Sequence, residues 1–406
     1  MSSSHTDLFG KKVGVIGFNA RPLACSVRKA GGLPFVSDYW GDLDLDTCSE
    51  EWIAVLSPVP GSRQRGSLDA PVHVSLSENF EHSFGNYELD YVLLGSGFDD
   101  HAESLGRIEE KHGITGNTFE LMTRARNKEK LAKLADKLEI WYPKYEIVEN
   151  LEEATSAIKE IGLPCVVRPI TSGGGAGIRK VNGIKDLEVF YKTLEKSERL
   201  GPRVIQEFVT GVDVSASVLG TGKHSMTLSV QDQLIGLPSA GRLSDFVYCG
   251  NRVPASITND IEEEIQFISE MVISELGLVG SNGIDYVVGK DNRLWLFEVN
   301  PRFQGSLEML ESASNISVTD LHVKACEGNL PEWKLSFRPT TKMIVYANRD
   351  GIVPDLIEWP STVDRSPPGV EVHKGDPICS IIETGKQSSE VFERVLRISS
   401  QILNKI

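Results

Sequence analysis

The chain lacks any long apolar run and any surplus of basic residues. No stretch approaches the roughly 18 apolar residues of a membrane span, and the start, MSSSHTDLFGKK, has no apolar leader core. The 42 Lys and Arg residues stand against 57 Asp and Glu residues, a formal net charge of −15. This balance argues against general binding to nucleic acids or anionic membranes, although a local basic site for a phosphate remains compatible with it. We therefore expect a soluble, cytoplasmic protein.

Paired cysteine motifs are also missing. The cysteines form no C-x-x-C pair, and Cys165 lies in an apolar run that is typical of a strand. We therefore predict reduced thiols at all six cysteine positions, which are 25, 48, 165, 249, 326 and 379.

The chain has enough hydrophobic sequence for several domains. It contains 406 residues, of which 40% are hydrophobic, so we expect two or three domains. Residues 12–38 have the pattern of a β-α-β unit, and residues 90–98, DYVLLGSGF, have that of a further parallel strand. These features predict an α/β, doubly wound domain at residues 1–118.

After residue 119 the order of predicted elements is α+β rather than repeated β-α-β, and no internal repeat is present. An amphipathic helix at 126–138 opens this central domain, predicted for residues 119–330, and a β-rich domain with a closing helix follows at 331–406. The other predicted central elements are a helix at 150–162, strands at 164–170, 203–209, 213–219 and near 225–230, a helix at 261–277 and a hairpin at 282–300.

The hairpin carries the most informative polar residues. Asp285 lies in its first strand, and Glu298 and Asn300 lie two residues apart in the second, so the latter pair projects from one face. Across a tight turn the three side chains converge, and hard oxygen ligands suit one or two Mg²⁺ ions that also hold phosphates. Arg302 would add a cation near developing negative charge. Ordinary solvent-facing acids are the alternative, but Glu and Asn within the apolar run LWLFEVNPR favour a site.

A glycine-rich segment follows the strand at 164–170. The sequence at 164–178, PCVVRPITSGGGAGI, fits a flexible turn as well as a loop whose backbone amides bind a phosphate. Its own composition leaves both interpretations open.

Together these motifs resemble the ATP-grasp superfamily, which includes biotin carboxylase and D-alanine–D-alanine ligase. The resemblance rests on GIDYVV, on the interval of thirteen residues from Asp285 to Glu298 and on EVNPRFQGS, and it covers about residues 120–327. The strings GFNARPLA and SDYWGDLDL are similar to those of an archaeal subgroup of predicted ATP-dependent carboligases. The resemblance implies an N-terminal doubly wound domain, a central ATP-grasp fold and a small C-terminal β-rich domain.

The resemblance also implies a set of ATP-binding residues. Lys128 and Arg168 would reach the phosphates, with Arg168 in place of the usual lysine, so its contact becomes a planar fork instead of a compact ammonium. The remaining implied residues belong to the phosphate lid (Ser172, Gly173, Gly174, Gly175 and Gly177), the adenine hinge (Gln206, Glu207, Phe208 and Val209) and the ribose contact (Asp213).

Two further segments are candidates for the acceptor substrate. In the first, Asn19 and Arg21 flank a predicted helix start whose free amides suit an anion, although a structural strand-to-helix turn explains it equally well. In the second, a polar, glycine-rich region contains Gln231, Tyr248 and Asn251, which would line the acceptor pocket. A mobile surface loop is the alternative interpretation of this region.

The resemblance implies an ADP-forming ligase that joins a small carboxylate to a small amine through an acyl phosphate. Such a ligase uses ATP with Mg²⁺, or Mn²⁺ as an alternative ion, and Arg168 and Arg302 would act at the reacting phosphate. Carboxylation with bicarbonate is the first alternative. A nucleotide-binding regulatory protein without turnover is the second. Neither a nucleic acid nor a membrane is expected as a partner, and a homodimer, as in many relatives, stays open.

Overall fold

The computed structural model describes residues 7–66, 68, 70–171, 173–196, 201–241, 244–332 and 335–406. The strands in this part of the chain are β1 Lys12–Gly17, β2 Leu33–Asp38, β3 Glu51–Ala54, β4 Tyr91–Leu94, β5 Tyr145–Val148, β6 Cys165–Pro169, β7 Arg179–Val181, β8 Arg203–Glu207, β9 Gly211–Thr221, β10 Ser225–Ile235, β11 Tyr248–Val253, β12 Val279–Gly289, β13 Leu294–Asn300, β14 Thr340–Tyr346, β15 Gly351–Ile352, β16 Thr362–Val363, β17 Glu371–Val372 and β18 Pro377–Thr384. The α-helices are α1 Arg21–Lys29, α2 Val72–Phe84, α3 Gly106–His112, α4 Phe119–Arg126, α5 Lys128–Lys137, α6 Leu151–Ile161, α7 Ile184–Lys196, α8 Asn259–Leu276, α9 Leu307–Ser314, α10 Val318–Cys326 and α11 Ser388–Lys405.

The first four strands form a parallel sheet in the order β3-β2-β1-β4. Successive residues of a strand point to opposite faces. Accordingly, Val15 joins the apolar cluster that contains Leu23 of α1, while its neighbour Ile16 joins the one that contains Phe80 of α2. Helices therefore cover both faces, which confirms the predicted doubly wound part.

The central sheet has eight antiparallel strands in the order β13-β12-β9-β10-β11-β14-β18-β16. Helix α8 packs on β9 and β10, and α11 packs on β14 and β18. The C-terminal strands thus continue the central sheet edge to edge. The boundaries 1–118, 119–330 and 331–406 stay predictions.

A third sheet, β5-β8-β6-β7, is antiparallel and packs against α6 and α7. It brings β6 next to β8, and therefore places Arg168 opposite Val204 and Val166 opposite Gln206. The glycine-rich segment is the connection between β6 and β7.

The predicted helix at 126–138 corresponds to α5, which begins at Lys128 because the chain breaks at Asn127 after the separate helix α4. Asn127 has extended backbone angles, and its side chain accepts a hydrogen bond from the backbone N–H of Lys130 at 2.9 Å. Asparagine is a favoured N-cap residue because its side chain satisfies a free helix amide. The break leaves Arg126 at the end of α4 and Lys128 at the start of α5.

The prediction of six reduced thiols is wrong for one pair. Cys25 of α1 and Cys48 are joined in a disulfide, which the fold permits because it packs α1 beside the segment before β3. The other four cysteines are free. Among the described helices, none combines the length and apolar character needed to cross a membrane.

Candidate active site

One face of the central sheet is polar because polar and apolar residues alternate along its strands. On β9, Ser215 and Ser217 alternate with Val214, Ala216 and Val218, and those three belong to the apolar cluster beneath α8. The same alternation on β12 places Asp285 on the polar face, because its neighbours Ile284 and Tyr286 belong to the apolar cluster. The sheet therefore buries one face under a helix and gathers hydrogen-bonding side chains on the other.

The three predicted metal ligands lie together on this polar face. Asp285 and Glu298 are directly paired across β12 and β13, and Glu298 and Asn300 lie two residues apart. The Asn300 side-chain amide donates to Asp285 Oδ2 at 3.0 Å, and Gln233 Nε2 donates to Asp285 Oδ1 at 2.8 Å. Register therefore brings together the oxygen donors that the sequence spacing indicated.

The two carboxylates have opposite charge environments. Burial, reinforced by the nearby charge of Glu298, raises the pKa of Asp285 to about 7. Burial also acts to raise the pKa of Glu298, but the cations of Arg126 and Arg168 outweigh it and lower that pKa to about 2. The Arg126 guanidinium forms a hydrogen-bonded salt bridge with the Glu298 carboxylate.

This donor set fits Mg²⁺. Asp285, Glu298 and Asn300 offer hard oxygen atoms, which Mg²⁺ prefers, and they are side by side on two paired strands. A divalent cation would favour the ionised form of Asp285, whose charge is otherwise penalised by burial.

Two cations lie beside these carboxylates. Arg168 is only 8% exposed, and of its side-chain atoms Nε is buried without a hydrogen-bond partner in the described structure. Burial and the neighbouring charge of Arg168 lower the pKa of Lys128 to about 8. A buried donor that lacks an acceptor is costly. The phosphate oxygens of ATP would supply such acceptors, so the pair fits a phosphate-binding role.

The predicted lid packs against the segment that precedes β11. Gly174 O accepts a hydrogen bond from the backbone N–H of Tyr248 at 3.1 Å, and a Cβ on Gly175 would lie 1.7 Å from Phe246 O. Gly174, Gly175 and Gly177 all have positive φ angles. Glycine is therefore favoured at all three positions for its conformation, and at Gly175 it is required for space as well. Gly173 has neither constraint, and Ser172 lies outside the described residues.

The predicted hinge offers one free backbone donor. The amide of Glu207 donates to Lys144 O at 2.8 Å, and that of Phe208 donates to Pro164 O at 3.4 Å. Among the described residues none accepts from the backbone N–H of Val209.

The predicted hinge residue Gln206 is buried, and the predicted ribose contact Asp213 is half-buried. Gln206 is buried on β8, and burial raises the pKa of Asp213 on β9 to about 6. Lys180 lies 3.9 Å from the centre of the Phe208 ring.

The N-terminal sheet contributes residues that the sequence did not reveal. Asp99 binds Arg302 Nε at 2.8 Å and 3.1 Å, and Asp100 binds Arg126 Nε at 3.0 Å. Both aspartates follow β4 at the carboxyl edge of a parallel sheet, where functional residues of such folds commonly lie. That position was the available signal for them. Arg126 had no comparable signal, because only the break at residue 127 turns it toward the hairpin.

The predicted acceptor residues after β9 form one hydrogen-bonded network. The Gln231 side-chain amide donates to Ser215 Oγ and Ser217 Oγ, each at 3.1 Å. Asn251 Nδ2 donates to Ser215 Oγ at 3.4 Å, and Tyr248 Oη donates to Asn251. Gln231, Tyr248 and Asn251 thus share the polar face with the metal-ligand candidates.

Arg21 does not offer the free cation that an acceptor site needs. It is 1% exposed, and its guanidinium contacts Glu308 at 2.5 Å, Asp364 at 2.7 Å and Asp44 at 3.4 Å. The carboxylates come from distant parts of the chain, so Arg21 joins α1 to α9 and to the C-terminal region. Asn19 lies beside it with a buried Oδ1 that has no hydrogen-bond partner in the part of the chain that the structure describes.

Comparison with known families agrees with the site. Residues 125–306 match the family model of the ATP-grasp domain. The chain is 29% identical over 282 residues to the formate-dependent phosphoribosylglycinamide formyltransferase of Saccharolobus solfataricus, covering 67% of this chain and 70% of that one. It is 26% identical over 281 residues to the carbamoyl phosphate synthase large chain of Thermotoga petrophila, covering 66% of this chain. The match spans 24% of that longer relative.

Solved structures share the fold over nearly the whole chain. The carboxyaminoimidazole ribonucleotide synthase of Aspergillus clavatus, complexed with ATP, has a TM-score of 0.72 at 15% identity, covering 97% of this chain and 99% of that one. The biotin carboxylase domain of the 2-oxoglutarate carboxylase of Hydrogenobacter thermophilus, a dimer with MgADP, ADP and bicarbonate, has a TM-score of 0.73 at 15% identity. That match covers 96% of this chain and 90% of the domain.

The motifs, the family match and the architecture agree. Residues 125–306 of this chain are an ATP-grasp domain, and the relatives of that domain support an ADP-forming, ATP- and Mg²⁺-dependent ligase.

Proposed function

We propose that the protein joins a small carboxylic acid to a small amine and releases ADP and phosphate. The observation that carries this proposal is the row of oxygen donors, with Asn300 buried and Asp285 and Glu298 half-buried, beside the buried cation Arg168 and the half-buried cation Lys128. Carboxylates and cations are thus held close together at a site that is partly shielded from solvent. Such a place suits the transfer of a phosphoryl group between two oxygen atoms.

The roles of the residues follow from their charge. Asp285, Glu298 and Asn300 would hold Mg²⁺, which neutralises phosphate charge and orients the transferred group when it is bound. Arg168, Lys128 and the lid glycines would hold the phosphate oxygens and keep water out.

The substrate acid attacks the γ-phosphorus of ATP through a carboxylate oxygen, and the bond to the β-γ bridging oxygen breaks, which releases ADP. The amine nitrogen then attacks the carbonyl carbon of the acyl phosphate and loses a proton, and inorganic phosphate leaves. Arg302 would stabilise the charge on the acyl phosphate. Positioning and electrostatics account for this scheme, so no nucleophilic side chain is needed.

The names of the relatives support this class of reaction. One relative is a formate-dependent formyltransferase that acts on phosphoribosylglycinamide, so its name combines a small acid with an amine-bearing acceptor. We take the general pairing, acid with amine, to this chain and leave both substrates open.

Bicarbonate is the second candidate acid. A structure with the same fold contains bicarbonate together with MgADP. Arg302 is held beside Asn300 at 3.4 Å and offers a cation at the predicted metal ligands, a position that suits a small anion.

The test is ADP release by the purified protein with ATP and Mg²⁺. A panel of small acids, including formate and bicarbonate, is crossed with amino acids, polyamines and other amines. Release that needs both an acid and an amine, with an amide detected by mass spectrometry, is the expected result. Bicarbonate-dependent release without an amine would assign the carboxylase function. ATP binding without release for any pair would contradict both and favour a regulatory nucleotide-binding protein.

A further inference from the structure

Three metal-ligating side chains meet in the N-terminal part of the chain, outside the site described above. His73 lies in the first turn of α2, His101 follows the Asp99–Asp100 pair, and Glu103 lies in a short 3₁₀ helix at Ala102–Leu105. Their ligand atoms all lie within 4.8 Å of one another. Within the described ranges, no other group of His, Cys, Asp and Glu side chains has this spacing.

The distances suit a tetrahedral ion. Zinc bonds of about 2.0–2.2 Å at a tetrahedral angle place neighbouring ligand atoms about 3.3–3.6 Å apart. His101 Nδ1 and Glu103 Oε1 are 3.4 Å apart. The imidazole rings of His73 and His101 are stacked, with centroids 4.0 Å apart and planes at 15°. The ligand atom of His73 lies within 4.8 Å of the other two, so the partly exposed His73 ring has to turn out of this stack to bind the same ion.

The backbone around His101 favours metal binding, because hydrogen bonds fix this residue in a turn. The His101 backbone N–H donates to Phe98 O at 3.0 Å, and its carbonyl accepts from Ser104 Oγ at 2.7 Å, so the residue is fixed in a turn. A neutral imidazole has the lone pair that a metal needs.

We propose that His73, His101 and Glu103 bind a divalent transition-metal ion of the Zn²⁺ class. Two imidazoles and one carboxylate suit Zn²⁺, Co²⁺ or Ni²⁺, whereas Mg²⁺ prefers all-oxygen donors. Three protein ligands leave a fourth position for water. This site is independent of the Mg²⁺ site on the central sheet and of the reaction proposed above.

The ion would connect α2 to the segment that holds two arginines of the active site. His101 directly follows Asp99 and Asp100, which bind Arg302 and Arg126. A bound ion therefore fixes this segment at its far end. Because an ion that binds only the folded protein adds stability, the unfolding temperature rises with the metal concentration.

The experiment uses the full chain, freed of metal with a chelating resin. Co²⁺ is titrated in the presence of excess Mg²⁺ and ATP, which occupy the central site, and the visible spectrum and the metal content after gel filtration are recorded. The variants are His73→Ala and His101→Ala. The controls are His82→Ala, an exposed residue of the same helix, and Glu298→Gln in the Mg²⁺ site.

We expect one equivalent of Co²⁺ with the absorption of a tetrahedral site, displaced by Zn²⁺, in the parent chain and in both controls. The two site variants should bind Co²⁺ at least about tenfold more weakly. Equal binding by His73→Ala, His101→Ala and the parent would overturn the proposal, and so would an absence of Co²⁺ binding by the parent. Loss of binding in Glu298→Gln would place the ion in the central site and would also overturn it.

Discussion

Arg168 shows how far a single side chain defines the phosphate site. It is buried, its Nε has no acceptor among the described residues, and its charge adds to burial in lowering the pKa of Lys128. A buried cation with an unused donor is expensive to keep unless a ligand anion completes it. The family usually has lysine at this place, and arginine adds a planar fork that matches two phosphate oxygens.

Replacing Arg168 should therefore impair ATP use. In Arg168→Met the KM for ATP should rise at least about tenfold, since a charge-assisted contact is lost. In Arg168→Lys the charge remains but the fork is lost, so an intermediate KM is expected. Arg179→Met is the matched control, because Arg179 is an exposed arginine on the adjacent strand β7. Steady-state ADP release measures all three, and equal KM values for the Met variants would contradict the role of Arg168.

At the residue scale the sequence predicted the hairpin ligands better than their surroundings. The juxtaposition of Asp285, Glu298 and Asn300 could be predicted because strand periodicity and a tight hairpin determine which side chains share a face. Arg126 could not, since it contacts Glu298 only through a helix break and a long-range approach of α4 to β13. The ion pairs of Arg21 could not be predicted, because the sequence does not show which carboxylates the fold brings to it, and its place in a substrate site stays a prediction.

At the scale of elements, the lid is the connection in which glycine is most restricted. Gly175 combines a positive φ with a close approach to Phe246, while Gly173 lies in open space. The lid thus depends on one glycine for its contact with the segment before β11.

Gly175→Ala should disturb the lid while Gly173→Ala should not. A methyl group at residue 175 must displace the backbone at Phe246 and adopt a strained φ, so we expect the KM for ATP to rise by about tenfold or more. Gly173→Ala should stay within about twofold of the parent chain. Circular dichroism and the unfolding temperature verify that both variants fold. Equal kinetics for the two alanine variants would show that the lid does not contact the nucleotide in this way.

Element types were easier to predict than element ends. The long helix α8 and the β12–β13 hairpin follow strong periodic patterns, and both lie where the sequence indicated. The strand predicted at 90–98 ends at Leu94 instead, because residues 95–98 form the turn that leads to Asp99. Helices α9 and α10 were not predicted, since their apolar residues pack against α1 and the central sheet in a cluster assembled from distant segments.

At the scale of the whole molecule, charged and polar bridges join the N-terminal sheet to the central sheet. One of them is Asp99, which holds Arg302 beside Asn300. Another is His322 of α10, whose Nδ1 accepts from the Ser281 backbone at 2.7 Å and whose Nε2 donates to Thr115 O at 2.9 Å. The sequence gives no pairing information at such distances, so these bridges were not predicted.

Asp99 should act as a positioning residue for Arg302. In Asp99→Asn the carboxylate charge is lost while the shape is kept, so kcat should fall about tenfold with little change in the KM for ATP. Asp90→Asn is the matched control, because Asp90 directly precedes β4, the strand that Asp99 follows, and pairs with Lys11 at the surface. A change in KM alone, or equal losses in both variants, would contradict this role.

His322 should make stability fall in mild acid. Burial lowers its pKa to about 4 in the folded protein, whereas the unfolded chain has the ordinary value of about 6.5. Its folded pKa is the lower one, so the stabilisation is present above about pH 6.5 and is lost as pH falls toward 4. The loss should reach about 2 kcal/mol at pH 5.

Urea unfolding at pH 8 and pH 5 tests this linkage. The parent chain should lose more stability between these two values than His322→Gln, which cannot be protonated. The same pH dependence in both proteins would show that His322 does not carry it.

The most direct test of the central claim is Glu298→Gln, because the account assigns that carboxylate to the Mg²⁺ that serves phosphoryl transfer. Acid-dependent ADP release and Mn²⁺ binding by electron paramagnetic resonance are measured beside Asp291→Asn, an exposed acid in the turn of the same hairpin. We predict that Glu298→Gln folds, no longer binds Mn²⁺ and releases ADP at least about a hundredfold more slowly. Asp291→Asn should behave like the parent in all three respects. Full activity with unchanged Mn²⁺ binding in Glu298→Gln would contradict the account.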